Sequence, residues 1–301
     1  MMDYFNIFLK FIDTTYHQAR TMSVSEFVMN HEAAIRLVFF FSILLIMALW
    51  EFVTPRRRLT VSKTLRWINN LGIVFFDSFL VRIIFPGTAV GMEAFAHEHG
   101  WGFFNHFQVS YNLAVALSVI VMDFVIYLQH VMFHAIPIFW RIHRMHHADL
   151  DFDVTTGIRF HPFEIILSMV IKFGMVVVIG PPVLGVVIFE VLLNATSMFN
   201  HGNVRILRGL DRVLRWIVVT PEMHRVHHSV VYYEINSNFG FNLPLWDRFL
   251  GTYRDQPRMG HEGMNIGLWN FRDTKHCAIL PGMLAIPFLG KVGGYTIDRR
   301  K

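Results

Sequence analysis

Eight histidines in three short clusters dominate the chemistry open to this 301-residue chain: His130-xxx-His134, His143-xx-His146-His147 and His224-xx-His227-His228. On a helix, residues i and i+4 lie about 40° apart, and an i, i+3, i+4 set spans about 100°. Each cluster is therefore expected to aim its imidazoles at one point. Neutral imidazole ligates zinc, copper, iron and nickel. Eight ligands exceed what one tetrahedral or octahedral ion accepts, so two metal ions are the expected count.

The remaining histidines divide by position. His161, in Arg159-Phe160-His161-Pro162, and His201, in Asn200-His201-Gly202, flank the two ends of an apolar hairpin described below. Topology brings both to the side of the clusters. Both are expected as ligands, with a supporting or capping role as the alternative. Ten of the 17 histidines thus fall between residues 130 and 228. His17, His31, His97, His99, His106, His261 and His276 lack cluster spacing or fall on the wrong side. The single cysteine, Cys277, excludes an intramolecular disulfide, a cysteine-rich zinc site and a cysteine-ligated iron–sulfur cluster.

A metal-bound imidazole generally gives its second N–H to a carboxylate or carbonyl. Asp123, Tyr127, His130 and His134 fall at about 0°, 40°, −20° and 20° around an ideal helix, a narrow stripe leading out of the membrane. Asp123 is too costly inside a bilayer to be idle, yet it lies too far along the helix to reach either histidine. Contact with ligands from neighbouring helices stays open to it. Tyr127, Glu164 and Asp247 join it as supporting candidates, followed by Asp149, Asp151, Asp153 and Glu222, for which solvated or capping roles compete.

Such a cluster needs elements to hold it, and the composition says which. The chain is 53% apolar and 16% charged, with a mean hydropathy of +0.41, against about 25% charged in soluble domains. An all-α integral membrane protein is expected, with about three transmembrane helices, a helical hairpin and a cytoplasmic histidine-rich helical cap. The spans run from Leu37 to Val53, Leu71 to Val90 (broken near Pro86-Gly87) and Leu113 to Phe133. Ile165 to Met198 is too long for one helix and is split at Gly180-Pro181-Pro182, which reads as a hairpin. In it, Lys172 and Glu190 lie nine residues either side of Pro181 and are expected to pair, with snorkelling as the alternative. Asp77 and Arg82 receive no role. The hairpin's small and branched residues, such as Gly174, Val176 and Val186, are expected to pack helices and not to line a tunnel.

Four segments follow: an interfacial N-terminal piece over 1–35, the first two spans over 36–111, a catalytic region over 112–260 and a C-terminal segment over 261–301. The loop from Thr54 to Asn70 holds Arg56, Arg57, Arg58, Lys63 and Arg66, whereas Met92 to Tyr111 has no Lys or Arg. The positive-inside rule then places the first loop, and by counting spans every clustered histidine, on the cytoplasmic side. Pro137 and the run Thr220-Pro221-Glu222 are helix-start signals ahead of the second and third clusters.

These residues resemble the fatty acid hydroxylase/sterol desaturase superfamily of membrane di-iron oxygenases. The likeness rests on the HxxxH, HxxHH and HxxHH order, joined by Asp123-xxx-Tyr127-xx-His130, Trp140-Arg141-xx-His143 and Thr155-Thr156-xx-Arg159-Phe160-His161-Pro162-xx-Glu164. Asn238-Phe239-Gly240 and Trp246-Asp247-Arg248-Phe249-Leu250-Gly251-Thr252 extend it. The resemblance covers Leu113 to Tyr253. It implies His130, His134, His143, His146, His147, His224, His227 and His228 as ligands of two irons, with zinc possible in purified protein. His161 and His201 map to the further histidines of the family.

The implied activity is an O2- and electron-dependent hydroxylation of a lipid C–H bond on a sterol, fatty acyl, sphingoid or alkyl ether substrate. Desaturation and ether-lipid cleavage are alternatives, and a histidine-rich metal transporter is the reading from another class. Without a Walker loop or dinucleotide fingerprint, the expected electron source is an external protein. Arg56 to Arg58, Arg141, Arg144, Arg205, Arg208, Arg212 and Arg215 offer a basic face to such a donor or, more simply, to anionic lipid. No nucleic-acid partner is expected, and a bacterial inner membrane is favoured over the endoplasmic reticulum.

Overall fold

The computed structural model describes residues 23–85, 87–292 and 295–297. Its principal helices are α1 (Val24–Val53), α2 (Lys63–Ile84), α3 (Ala89–Glu98), α4 (Tyr111–Ala135), α5 (Pro137–His147), α6 (Pro162–Ile179), α7 (Val183–Asn200) and α8 (Pro221–His227). No strand occurs among the described residues, only isolated bridges. Among the described residues, five stretches are long and apolar enough to cross a membrane: α1, the run Lys63–His106 that contains α2 and α3, α4, α6 and α7.

Local chemistry sets most of the helix ends. α1 begins at Val24, well before the expected Leu37, because Ser23 and Glu26 form a capping box. The expected 1–35 boundary therefore falls inside a helix, and the rest of that segment, residues 1–22, lies outside the described residues. The early turns of α1 carry Glu32 and Arg36, which pair with each other, and Arg36 also reaches Glu190 at 3.1 Å. α2 starts at Lys63, not Leu71, with the Ser62 hydroxyl accepting from Leu65 N–H. It ends at Ile84, just ahead of the expected break.

α6 and α7 form the expected hairpin. Gly180 takes φ 61° at the C-cap of α6, and a Cβ there would meet Trp101 O at 2.9 Å. Lys172 Nζ donates to Glu190 Oε1 at 2.8 Å, so the proposed pair forms and Arg36 joins it. Val176, Val186 and Val187 are buried in the cluster that joins α4, α6 and α7, the packing role expected of them.

Pro137 opens α5 only two residues after α4 ends, which turns the HxxxH end of α4 back against the HxxHH helix. Thr220 caps α8 through Met223 N–H, and Pro221 occupies its first turn. A buried ionic lattice then fixes the loop after α5. Arg66 meets Asp149 at 2.7 Å and also Asp153, and Arg159 meets Asp149 at 3.3 Å. Asp151 accepts from Thr60 and Val61 N–H.

Candidate metal centre

Nine histidines converge in two buried groups. In the first, one nitrogen from each of His130, His134, His143, His147 and His227 lies within 4.8 Å of the others; in the second, the same holds for His146, His201, His224 and His228. The groups touch through stacked rings, His147 against His228 at 4.5 Å and His224 against His227 at 5.0 Å between centroids. Each HxxHH cluster is therefore divided, where a single aiming point was expected. α5 sends its i, i+4 pair, His143 and His147, to the first group and His146 to the second. α8 and its C-cap send His224 and His228 to the second and His227 to the first. The wide angular spread of an i, i+3, i+4 set is what permits the division.

The tautomers show why these groups suit cations. His130 Nδ1 donates to Phe239 O and His227 Nδ1 to Ser237 O, both at 2.7 Å. Their Nε2 atoms therefore carry bare lone pairs, yet face each other at 3.0 Å. The second group repeats this. His146 Nδ1 donates to Arg159 O and His201 Nδ1 to Ser197 O, while the two Nε2 atoms stand 3.2 Å apart. Neither pair can hydrogen-bond internally without a further proton. Two imidazoles on one ion with bonds of about 2.0–2.1 Å would hold their nitrogens about 2.9 Å apart in cis-octahedral and about 3.4 Å apart in tetrahedral geometry, which brackets both distances. His224 is fully buried with no partner at either nitrogen, and His147 and His228 each leave Nδ1 unpaired.

Burial, reinforced by neighbouring imidazoles, holds His143, His146, His147, His224, His227 and His228 well below the usual histidine range. Burial likewise pushes His201 down to about 3. The rings are neutral, as metal ligation requires.

His161 stands apart. Its Nδ1 accepts from Phe163 N–H at 3.2 Å as the cap of α6, and its Nε2 faces Leu284 O at 3.3 Å. It belongs to neither group, so the capping alternative describes its place. Of the other histidines, His97 and His99 bond to Asn105 and Phe95 O, and His261 lies 2.9 Å from Glu222.

Among the expected carboxylates, Glu164 touches the centre directly. Its Oε1 accepts from His143 Nδ1 at 2.7 Å. Asp123 touches no histidine. It accepts from Trp246 Nε1 at 2.8 Å and from the Asn242 and Leu243 N–H groups. Tyr127 bonds to Thr252, whose hydroxyl donates to Asp247. Asp247 in turn accepts from Phe239 and Gly240 N–H. Asp123, Tyr127 and Asp247 thus shape the 239–252 loop, and that loop offers Phe239 O to His130. Burial pushes Asp247 up to about 6 against the pull of those hydrogen bonds.

Asp149 and Asp153 serve the arginine lattice and Asp151 the Thr60 and Val61 backbone, not the histidines. Glu222 is tied to Arg56, Arg225 and His261; burial opposes its charge, but the His261 hydrogen bond and the two arginines outweigh burial and hold it at about 2. The carbonyls of Arg159, Ser197, Ser237 and Phe239 were not anticipated, since a backbone acceptor leaves no residue signature.

The expected basic face is smaller than its arginine count. Arg56 and Arg57 bind Glu222, Glu262 and the His261 and Met264 carbonyls. Arg144 binds carbonyls at Ile286 and Lys291, and Arg215 is buried on Asp211. Arg58, Arg205, Arg208 and Arg212 remain exposed.

A cavity of about 300 Å³ lies between α1, α2, α4, α6 and α7 and reaches His130, His143 and Glu164. Phe40, Val81, Ile126, Phe133 and Met169 give it apolar walls, and Asp77, Gln129 and Lys172 polar ones. A larger groove of about 870 Å³ near Trp269 and Tyr295 touches no histidine of either group.

The fatty acid hydroxylase family model matches residues 115–252, a stretch that holds all nine grouped histidines. This match supports placing that part of the chain in the fatty acid hydroxylase superfamily. It is 27% identical over 234 residues to the ornithine lipid hydroxylase OlsE of Rhizobium tropici, covering 76% of this chain and 70% of that one. It is 26% identical to the alkylglycerol monooxygenase of Xenopus tropicalis over 63% of this chain, but spans only 43% of that relative. The fatty acid hydroxylase vlmA of a Lecanicillium species is 26% identical over 48% of this chain and 43% of its own length. No solved structure matches the chain significantly.

Proposed function

We propose that this protein is a multi-pass membrane oxygenase that hydroxylates a lipid C–H bond, with His130, His134, His143, His147 and His227 holding one iron and His146, His201, His224 and His228 the other. The observation that carries the reading is the pair of facing, unprotonated Nε2 contacts, His130 with His227 and His146 with His201, which call for a cation in each group. Two irons, when bound, supply O2 activation and attack on an unactivated C–H bond, with electrons from an external donor.

The chain's own residues do the rest. Glu164 and the backbone carbonyls fix the tautomers, and the arginine lattice holds the 148–159 loop that carries Arg159 O. Apolar spans exclude water and give a lipid an entry path to the cavity beside His130 and His143. Arg56 joins the arginine-rich loop to Glu222 on α8, which supports placing that loop and the metal centre together on the cytoplasmic side.

The relatives named for ornithine lipids and alkylglycerols support a lipid substrate. The alkylglycerol relatives also support a second reading, in which hydroxylation next to an ether oxygen cleaves the lipid. Lipid mass spectrometry of cells with the wild-type protein or His146→Ala tests both. A lipid one oxygen atom heavier, present only with wild type and labelled by heavy O2, supports hydroxylation. An alkyl ether lost in favour of an aldehyde supports cleavage, and an unchanged lipid profile refutes both.

A further inference from the structure

The cavity beside the metal centre carries acceptor oxygens with nothing to accept. Asp77 lies on α2, is 6% exposed, and has a buried Oδ1 without any hydrogen-bond partner. Gln129 Oε1 and Glu164 Oε2 are unpartnered in the same way, and all three residues line the cavity. Two of them are carboxylates, which when ionised can only accept. An uncompensated carboxylate at membrane depth is expensive, and a protein retains one where something pairs with it.

The nearby cation does not serve. Lys172 also lines the cavity, but its Nζ is committed to Glu190 at 2.8 Å. Glu190 binds Arg36, and Arg36 binds Glu32, so these four groups form a chain with two positive and two negative charges. It is neutral without Asp77. Glu164 has His143 as its partner on Oε1, on the metal side. Asp77 is left as the acid that faces the cavity with no counter-charge.

We propose that the cavity accepts a lipid whose polar part carries a protonated amine, and that Asp77 binds that amine, with Gln129 positioned to take a second N–H. The inference rests on the oxygenase reading for the fate of the lipid, but not for its binding. A primary ammonium offers three donors and one positive charge, where a hydroxyl offers one donor and no charge. The cavity also reaches His130 and His143, so the C–H bond presented to the centre belongs to the molecule held by Asp77. Asp77 is a specificity residue and takes no part in the chemistry.

The test uses metal-loaded protein in nanodiscs and radiolabelled hexadecylamine, hexadecanol and hexadecanoate. An ammonium adds its own positive charge and further N–H donors to the hydrogen bond that a hydroxyl could give the Asp77 carboxylate, so the amine is expected to bind at least about tenfold more tightly than the alcohol. Asp77→Asn should bring that preference to within about twofold while hexadecanol affinity and metal content stay unchanged. Should the variant fail to fold, N-acetylated hexadecylamine provides the same comparison on wild type and is expected to bind no better than the alcohol.

Equal binding of amine and alcohol overturns the proposal, as does a preference that survives in folded Asp77→Asn. Tightest binding of hexadecanoate assigns the cavity to Lys172 and also overturns it. The oxygenase reading fails separately. An amine preference with no oxidised lipid in cells leaves Asp77 as the binding residue and removes the chemistry, whereas an oxidised lipid without nitrogen and no amine preference does the reverse.

Discussion

Replacing Glu164 with glutamine isolates one metal site from the other. The carboxylate accepts from His143 Nδ1 at 2.7 Å, and both side chains are buried. Gln retains an oxygen for that N–H but removes the charge, turning a charge-assisted hydrogen bond into a neutral one of about half its strength. Partners of this kind are worth about 10–100-fold in metal affinity, equivalent to about 1.4–2.7 kcal/mol. The loss should fall on the five-histidine group alone. In the four-histidine group, the Nδ1 atoms of His146 and His201 donate to the carbonyls of Arg159 and Ser197, which Glu164 does not touch. Chelator competition on metal-loaded protein should show two equivalents released together from wild type. In Glu164→Gln, one equivalent should leave at about 10–100-fold lower chelator while the other is unmoved. An equal shift of both, or of neither, refutes the partition of histidines.

Other substitutions test the surrounding structure. His161→Ala should leave metal content unchanged and cost about 0.5–2 kcal/mol of stability through the lost cap of α6, read by thermal unfolding; loss of a metal equivalent would return His161 to the ligand set. Lys172→Met should lower stability by about 1–3 kcal/mol, less than the 3–5 typical of breaking a buried pair, because Arg36 still meets Glu190; a normally stable variant refutes the pairing.

Asp247 makes a pH prediction. Its folded value of about 6 lies above the ordinary 3.9 or so of the unfolded chain. Its contribution is fully present below pH 4 or so and is lost as pH rises through about 6, by about 3 kcal/mol. Asp247→Asn should remove that slope in denaturant titrations across the window, at the cost of about 1–3 kcal/mol for a backbone N–H left without its acceptor; an unchanged slope assigns the pH dependence elsewhere.

Much of this molecule is legible in its residues, for identifiable reasons. Spacing alone marks the three histidine clusters, and Gly180-Pro181-Pro182 marks the hairpin, because helical period and proline geometry are local properties. Lys172 with Glu190 followed from hairpin symmetry. The division of each HxxHH between two groups did not, since which way a 100° face is shared depends on where the neighbouring helices stand. His161 and His201 read alike in sequence. Only the packed structure separates them, leaving one at the end of α7 among imidazoles and the other capping α6. The start of α1 at Val24 carries its own local mark in the Ser23–Glu26 capping box, whereas the apolar run that marks the span begins only after Arg36. Asp77 gave no local signal at all, because an unpaired acid matters only once the cavity it faces is known.

Two separate metal sites built from nine histidines differ in ligand count, five against four, and elemental analysis of iron-loaded wild type beside His201→Ala and His134→Ala exposes that difference. His201→Ala leaves three ligands in its group and should retain one iron per chain, whereas His134→Ala leaves four and should retain two, as wild type does. One iron per chain in all three proteins, or the same loss in both variants, would contradict two separate sites.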